Sequence, residues 1–228
     1  QDIQPPSLAY LTQLHRAHVA SVPWQTIDIV AGRPASIDPD ECVRLILGNR
    51  SGYCFHLNGA FSVLLRSLGF RVFWHRAGVQ PLGQEPRINS FHLGLSVVLT
   101  NELQQEQRYI VDVGLGDMPY EPIPLRIGTY EQGPLRYQVE RSGVVQGGWR
   151  LVHDPGSSFV GVDVAPDELE DLEEFQPKHE FYSRSPDSPW IKLFLVRQRH
   201  AAGSNELRGC IWSKRDGNGM EKIELRTK

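Results

Sequence analysis

The chain has 228 residues, 40% of them apolar and 22% charged, with a formal net charge of −3. This is the composition of a globular protein long enough to bury a sizeable core, and it excludes a chain that is mainly disordered. There is no basic field to attract nucleic acid or an anionic membrane, and no apolar run long enough to span a bilayer.

The first residues combine polar groups with two prolines rather than a charged head and an apolar stretch, so no signal peptide is expected. Three cysteines, Cys42, Cys54 and Cys210, form an odd and sparse set. They argue against a disulfide framework and for a reducing compartment, hence a cytoplasmic protein. No CxxC or HExxH spacing occurs, and His15 and His18 have no third ligand nearby, so no metal is expected.

Leu8, Leu11, Leu14, His15, His18, Val19 and Val22 recur at helical spacing until Pro23 stops them. Asp38-Pro39-Asp40-Glu41 reads as a helix start, with Asp38 as cap, Pro39 in the first turn and Glu41 completing a capping box. Gly48 ends that helix. A third helix is expected from Cys54 to Leu68, burying Leu57, Phe61, Leu64, Leu65 and Leu68, with Gly69 as a left-handed stop.

The period then changes. Segments 70–79, 91–99 and 108–113 are rich in β-branched and aromatic residues, and further strands are expected at 135–140, 149–153 and 159–162. The acidic run from Asp167 to Glu174 reads as a short solvated helix, and strands return at 190–197, 207–212 and 220–225. Helices, then strands, then a mixed end give an α+β class.

Cys54 follows Arg50-Ser51-Gly52-Tyr53 and opens an amphipathic helix, which places its sulfur near a helix N-terminus. The partial positive charge there favours a thiolate, the nucleophilic form. His92 and Asp112 lie in two strand-like runs joined by the polar segment 100–107. A hairpin centred on Glu102 sets them directly opposite each other, on one face, with Cβ atoms about 5 Å apart. His92 then takes the Cys54 proton while Asp112 orients the ring. Such a triad names acyl transfer without naming the acceptor, and papain-like and transglutaminase-like enzymes use the same order of residues.

At these residues the chain resembles the arylamine N-acetyltransferase family. Arg50-Ser51-Gly52-Tyr53-Cys54-Phe55-His56-Leu57-Asn58 is similar to the family's active-cysteine segment. Val22-Pro23-Trp24-Gln25-Thr26-Ile27-Asp28 and Gly32-Arg33-Pro34 match an earlier one. His92-Leu93-Gly94-Leu95 and Val111-Asp112-Val113-Gly114-Leu115-Gly116 resemble the catalytic histidine and aspartate strands. Ser185-Pro186-Asp187-Ser188-Pro189-Trp190 is similar to a later motif, so the resemblance covers nearly the whole chain in order.

The resemblance implies three parts: an N-terminal helical bundle (1–74) carrying Cys54, an antiparallel β-barrel (75–165) carrying His92 and Asp112, and a linker helix with a truncated α/β lid (166–228). The core is a cysteine-protease-like Cys-His-Asp arrangement. The resemblance also implies ping-pong acetyl transfer from acetyl-CoA, a co-substrate rather than a bound cofactor, to an arylamine, arylhydrazine or related small amine. Trp24, Asn89, Ser90, Phe91, Gly114, Leu115 and Gly116 map onto the substrate and CoA cleft.

Gln25, Thr26, His56 and Leu115 depart from the family pattern, and Asp117 adds a charge beside the glycine loop. His56 points roughly 200° round the helix from Cys54, which suits a buried histidine rather than a second base. Family members usually extend beyond both ends of this sequence. A shorter lid is expected to leave Cys54 more open, and an amide synthase taking an acyl chain from an acyl carrier protein is the second reading.

Overall fold

Ser7 opens the first helix by accepting the Tyr10 N–H at 3.2 Å. In the computed structural model, which describes residues 3–101 and 103–226, α1 (Leu8–Ser21) then buries Tyr10, Leu11, His15 and Val19 along one stripe. A short strand β1 (Trp24–Gln25) and one turn of helix α2 (Ile27–Val30) follow. Asp38 caps α3 (Pro39–Leu47) through the N–H groups of Asp40 and Glu41, at 3.0 and 3.1 Å. The expected capping box is not completed. Glu41 pairs with Arg44 at 2.8 Å, and the Asp38 N–H donates to Ser36 Oγ instead. Helix α4 (Cys54–Ser67) ends at Gly69, whose φ of +84° is the expected left-handed stop.

Strands β2 (Arg71–Gln80), β3 (His92–Thr100), β4 (Glu106–Val111), β5 (Ile123–Pro124), β6 (Gly128–Gln132), β7 (Leu135–Arg141), β8 (Trp149–Val152) and β9 (Gly161–Val164) form one antiparallel sheet. Its order, β5-β4-β3-β2-β9-β8-β7-β6, wraps it into a nearly closed barrel. Helix α4 packs on β2 and β3, so the helical part and the barrel share one apolar core.

The acidic run forms no helix of its own. Leu169 bridges to Trp74, a 3-10 turn spans Glu173–Phe175, and the helix α5 (Gln176–Arg184) begins only after it. The reason is that Leu172 and Phe175 are buried and tie the segment to the core. A meander closes the chain: β10 (Leu195–His200), β11 (Gly203–Arg208), β12 (Ile211–Asp216) and β13 (Gly219–Glu224), with β1 paired to β10. Residues 190–192, expected as strand, are turn, 193–194 have no regular structure, and the expected strand 207–212 is split by a turn at Gly209 and Cys210. No helix among the described residues is long and apolar enough to cross a membrane.

Candidate active site

Cys54 is the first residue of α4, as its sequence context implies. The loop before the helix is held from both sides. Gln25 Nε2 donates to the Ser51 carbonyl, and the Gln25 N–H donates to the Gly52 carbonyl at 2.8 Å. His56, in the first turn of the helix, accepts the Tyr53 N–H on Nδ1 at 3.4 Å and donates from Nε2 to the Ala35 carbonyl at 3.2 Å. This departure from the family pattern thus does the work of a capping carboxylate with a neutral ring. Burial lowers the His56 pKa to about 4, against the opposing pull of the Ala35 carbonyl.

His92 opens β3, and Asp112 is the first residue past β4. Their expected direct opposition is corrected by two residues. The ladder pairs Leu95 with Val111 and Thr100 with Glu106, so it is symmetric about Leu103. Glu102, the expected centre, lies outside the described residues. The turn is set by Asn101, whose Oδ1 accepts the Leu103 and Gln105 N–H groups, both at 2.9 Å. A two-residue shift preserves the face, so the side chains meet along a diagonal. His92 Nε2 lies 2.7 Å from Asp112 Oδ2, with His92 0% and Asp112 6% exposed.

Burial by itself would lower the His92 pKa. The Asp112 carboxylate overturns that, with a smaller contribution from Cys54, and pushes it up to about 10. Burial likewise works to raise Asp112, but the His92 charge and the hydrogen bonds from Asn58 and Gly114 hold it below the usual carboxylate range. His92 Nδ1 has no hydrogen-bond partner among the described residues. The Cys54 thiol lies 3.7 Å from the Phe91 carbonyl, on the same wall as the ring.

Sequence reasoning passed over Asn58. One helical turn after Cys54, it donates from Nδ2 to the Leu93 carbonyl at 2.7 Å and to Asp112 Oδ1 at 3.0 Å. Its Oδ1 accepts the Val113 N–H at 2.9 Å, and the Gly114 N–H reaches Asp112 Oδ1 at 2.8 Å. Asn58 therefore ties α4 to both strands that carry His92 and Asp112. The spacing of four from Cys54, on one helix face, was the available signal. Asn58→Leu strands the Val113 N–H and the Leu93 carbonyl in a dry interior. The expected loss is about 3 kcal/mol, read from urea unfolding; a loss below about 1 kcal/mol would show that the site holds itself without this residue.

The cleft beside Cys54 and His92 has a volume of about 280 Å³. Of the residues mapped to it from sequence, Trp24, Phe91 and Leu115 line it. Asn89, Ser90, Gly114 and Gly116 lie off its wall. Asn89 accepts the Phe91 N–H at 3.3 Å, and Ser90, at a φ of +57°, bonds Glu174. Gly114 packs so closely that a Cβ would meet Asn58 Nδ2 at 2.7 Å, and one on Gly116 would meet Arg197 Cβ at 2.4 Å. These two glycines bring the strand end against α4 and the meander.

Tyr182 on α5, and Trp190 from the later motif, form the roof. Phe91 stacks on Tyr182 at 4.0 Å, and Trp190 meets Trp24, Phe91 and Tyr182 at 5.5, 5.3 and 4.8 Å. The Tyr53 hydroxyl bonds His179 Nδ1 and pins α5 to the catalytic loop. Under this roof Cys54 is only 3% exposed. Cys42 is buried as well, and burial pushes its thiol up to about 12. No group of three or more His, Cys, Asp or Glu side chains able to hold a metal occurs among the described residues.

An α+β chain with a nearly closed barrel, and a cysteine at a helix start beside a buried histidine–aspartate pair, defines the class. A family model described as N-acetyltransferase matches residues 7–228. The arylamine N-acetyltransferase / N-hydroxyarylamine O-acetyltransferase of Salmonella typhimurium is 30% identical over 70% of this chain and 52% of its own length. The arylamine N-acetyltransferase of Mycolicibacterium smegmatis is 33% identical over 56% of this chain and 47% of its own. The aligned chain thus spans about half the length of these curated relatives. Among solved structures, the M. smegmatis arylamine N-acetyltransferase superposes with a TM-score of 0.86 at 22% identity, over 100% of this chain and 83% of that one, which shows the fold. The chain belongs to the arylamine N-acetyltransferase family.

Proposed function

We propose that the protein is an acyltransferase that moves an acetyl group from acetyl-CoA, through a covalent acyl-cysteine at Cys54, to an arylamine, arylhydrazine or related small amine. One observation carries this reading. In the wall of the cleft, the imidazole of His92 is held at 2.7 Å by a buried carboxylate, while its other nitrogen has no partner among the described residues and the cleft also holds a cysteine.

The proton moves as follows. The Cys54 proton rests on His92 Nδ1 as a thiolate–imidazolium pair, and the sulfur attacks the thioester carbonyl of the donor. The tetrahedral adduct collapses, the C–S bond to CoA breaks, and the leaving thiolate takes the proton from the imidazolium. The acceptor nitrogen then attacks the acyl-cysteine, His92 takes its proton and returns it to the Cys54 sulfur as the amide leaves. Asp112 keeps the ring in one tautomer and balances its charge throughout. The aromatic roof supports the reading, since an acyl-cysteine screened from water favours an amine over hydrolysis.

Intact-protein mass after incubation with acetyl-CoA tests this. The expected result is a gain of about 42 Da, one acetyl group, in the wild type and none in Cys54→Ala. Rapid alkylation of Cys54 without any gain from acetyl-CoA would retain the nucleophile and discard this donor.

A further inference from the structure

Helix α5 carries part of the roof, yet little holds it in place. Of its nine residues only His179 and Ser183 are buried, and the Ser183 hydroxyl has no partner among the described residues. The ionic and amide bonds on its outer side stay within the helix: Gln176 reaches Glu180 at 3.1 Å, and Arg184 reaches it at 3.2 Å. Among the described residues, one hydrogen bond joins a side chain of α5 to the catalytic part of the fold, that between His179 Nδ1 and the Tyr53 hydroxyl.

Both ends of this bond lead to the chemistry. Tyr53 immediately precedes Cys54, is 2% exposed, and meets Trp190 edge-on at 5.0 Å. His179 precedes Tyr182 by about one helical turn, so the two side chains leave α5 on the same face. Tyr182 lies on Phe91, whose carbonyl is 3.7 Å from the Cys54 sulfur. The bond thus closes a ring of contacts that starts and ends at the cysteine. Burial keeps both partners uncharged: it raises the Tyr53 phenol well above its ordinary value and lowers the His179 imidazole.

We propose that the Tyr53–His179 hydrogen bond is a latch on α5 that sets the lifetime of the acyl-cysteine, holding Tyr182 over the cleft so that the intermediate waits for an amine. The inference rests on the acetyl-transfer reading above. Tyr53 and His179 are positioning residues, and neither touches the reacting atoms. The competing step is hydrolysis: water adds to the acyl carbon, the C–S bond breaks, and acetate leaves as the Cys54 thiol is re-formed. When α5 loosens, an aromatic amine still meets Trp24 and Phe91 in the cleft wall, while water gains a path it lacked. Losing one uncharged hydrogen bond shifts such an open–closed balance about tenfold.

The test follows acetyl-enzyme made with acetyl-CoA and desalted, timing the loss of the acetyl mass with and without aniline. In His179→Leu the ratio of aminolysis to hydrolysis is expected to fall about tenfold. His179→Asn sets its amide where Nδ1 stood, in reach of the Tyr53 hydroxyl, and is expected to keep the wild-type ratio. Tyr53→Phe removes the same bond from the other side, and adding it to His179→Leu is expected to lower the ratio no further. Labelling of Cys54 by dithionitrobenzoate, a bulky aromatic disulfide, reads the latch without any acyl donor; Cys210→Ser protein is used because Cys210 is exposed. Cys54 is expected to label about tenfold faster in His179→Leu and at the wild-type rate in His179→Asn. Faster labelling in a protein that acetyl-CoA does not acetylate would retire the donor and keep the latch. An unchanged ratio and labelling rate in His179→Leu would overturn the proposal, as would His179→Asn behaving like His179→Leu, or aminolysis and hydrolysis changing in parallel.

Discussion

Asp112→Asn is expected to slow acetylation of Cys54 by about three to four orders of magnitude, in a protein that is less stable but still folded at neutral pH. Asp112 Oδ1 already accepts two donors, Asn58 Nδ2 at 3.0 Å and the Gly114 N–H at 2.8 Å. An introduced amide must keep its oxygen there, because the alternative sets its NH₂ against both donors. The NH₂ then faces His92 Nε2, which has to become an acceptor. The ring proton is forced onto Nδ1, the nitrogen that should receive the thiol proton, and the base is blocked by its own tautomer. The loss of the carboxylate also removes the charge that holds the His92 pKa up near 10. Quenched-flow mass spectrometry of the acyl-enzyme measures the rate, and a urea melt checks the fold. A loss of less than about tenfold would mean that the carboxylate is not needed to orient the ring.

That argument needs only the face shared by His92 and Asp112, and the face was legible from sequence. Alternation of apolar and small residues fixes which side of a strand a residue occupies. It does not fix the register to within two residues, because a shift of two leaves every side chain on the same face. Here Asn101 decided the matter through local bonds to the loop backbone. Cys54 at the helix start was equally legible, from the Gly52 before it and the apolar face after it. The roof was not. Tyr182 and Trp190 reach Phe91 and Trp24 only through tertiary packing, and nothing local distinguishes them from ordinary core aromatics.

Buried histidines dominate the expected response to acid. His15, His56 and His75 are almost fully buried, at 0%, 2% and 0% exposure, and burial lowers each pKa from 6.5 to about 4. Their bonding fixes the neutral state. His15 donates from Nδ1 to the Tyr120 carbonyl at 3.1 Å and leaves Nε2 bare in the core. His75 donates to the Asp167 carbonyl at 3.0 Å, and its Nε2 accepts from the Ser96 hydroxyl at 2.8 Å. A second proton turns the bare His15 Nε2 and the accepting His56 Nδ1 into buried donors without an acceptor, and at His75 it sets a new N–H against the Ser96 hydroxyl, which must turn its own proton away. Between pH 6.5 and about 4 the unfolded chain binds these protons and the folded one does not. The stability these three neutral rings contribute is therefore complete above about pH 6.5 and falls as the pH drops through that window. Each histidine contributes about 1.4 kcal/mol per pH unit, so the three together give about 4 kcal/mol per unit at the steepest point. The His92–Asp112 pair does not offset this. A raised histidine is charged in both states below pH 6.5, and its contribution is lost only as the pH rises toward 10. The lowered Asp112 acts only at the acid end, below the ordinary carboxylate range. Domains of this kind hold about 5–15 kcal/mol in total, so unfolding is expected before pH 4 is reached. Urea midpoints measured in half-unit steps from pH 7.5 to 4.5 read the slope directly, and a flat profile across that range would show that these rings find a way to charge inside the fold.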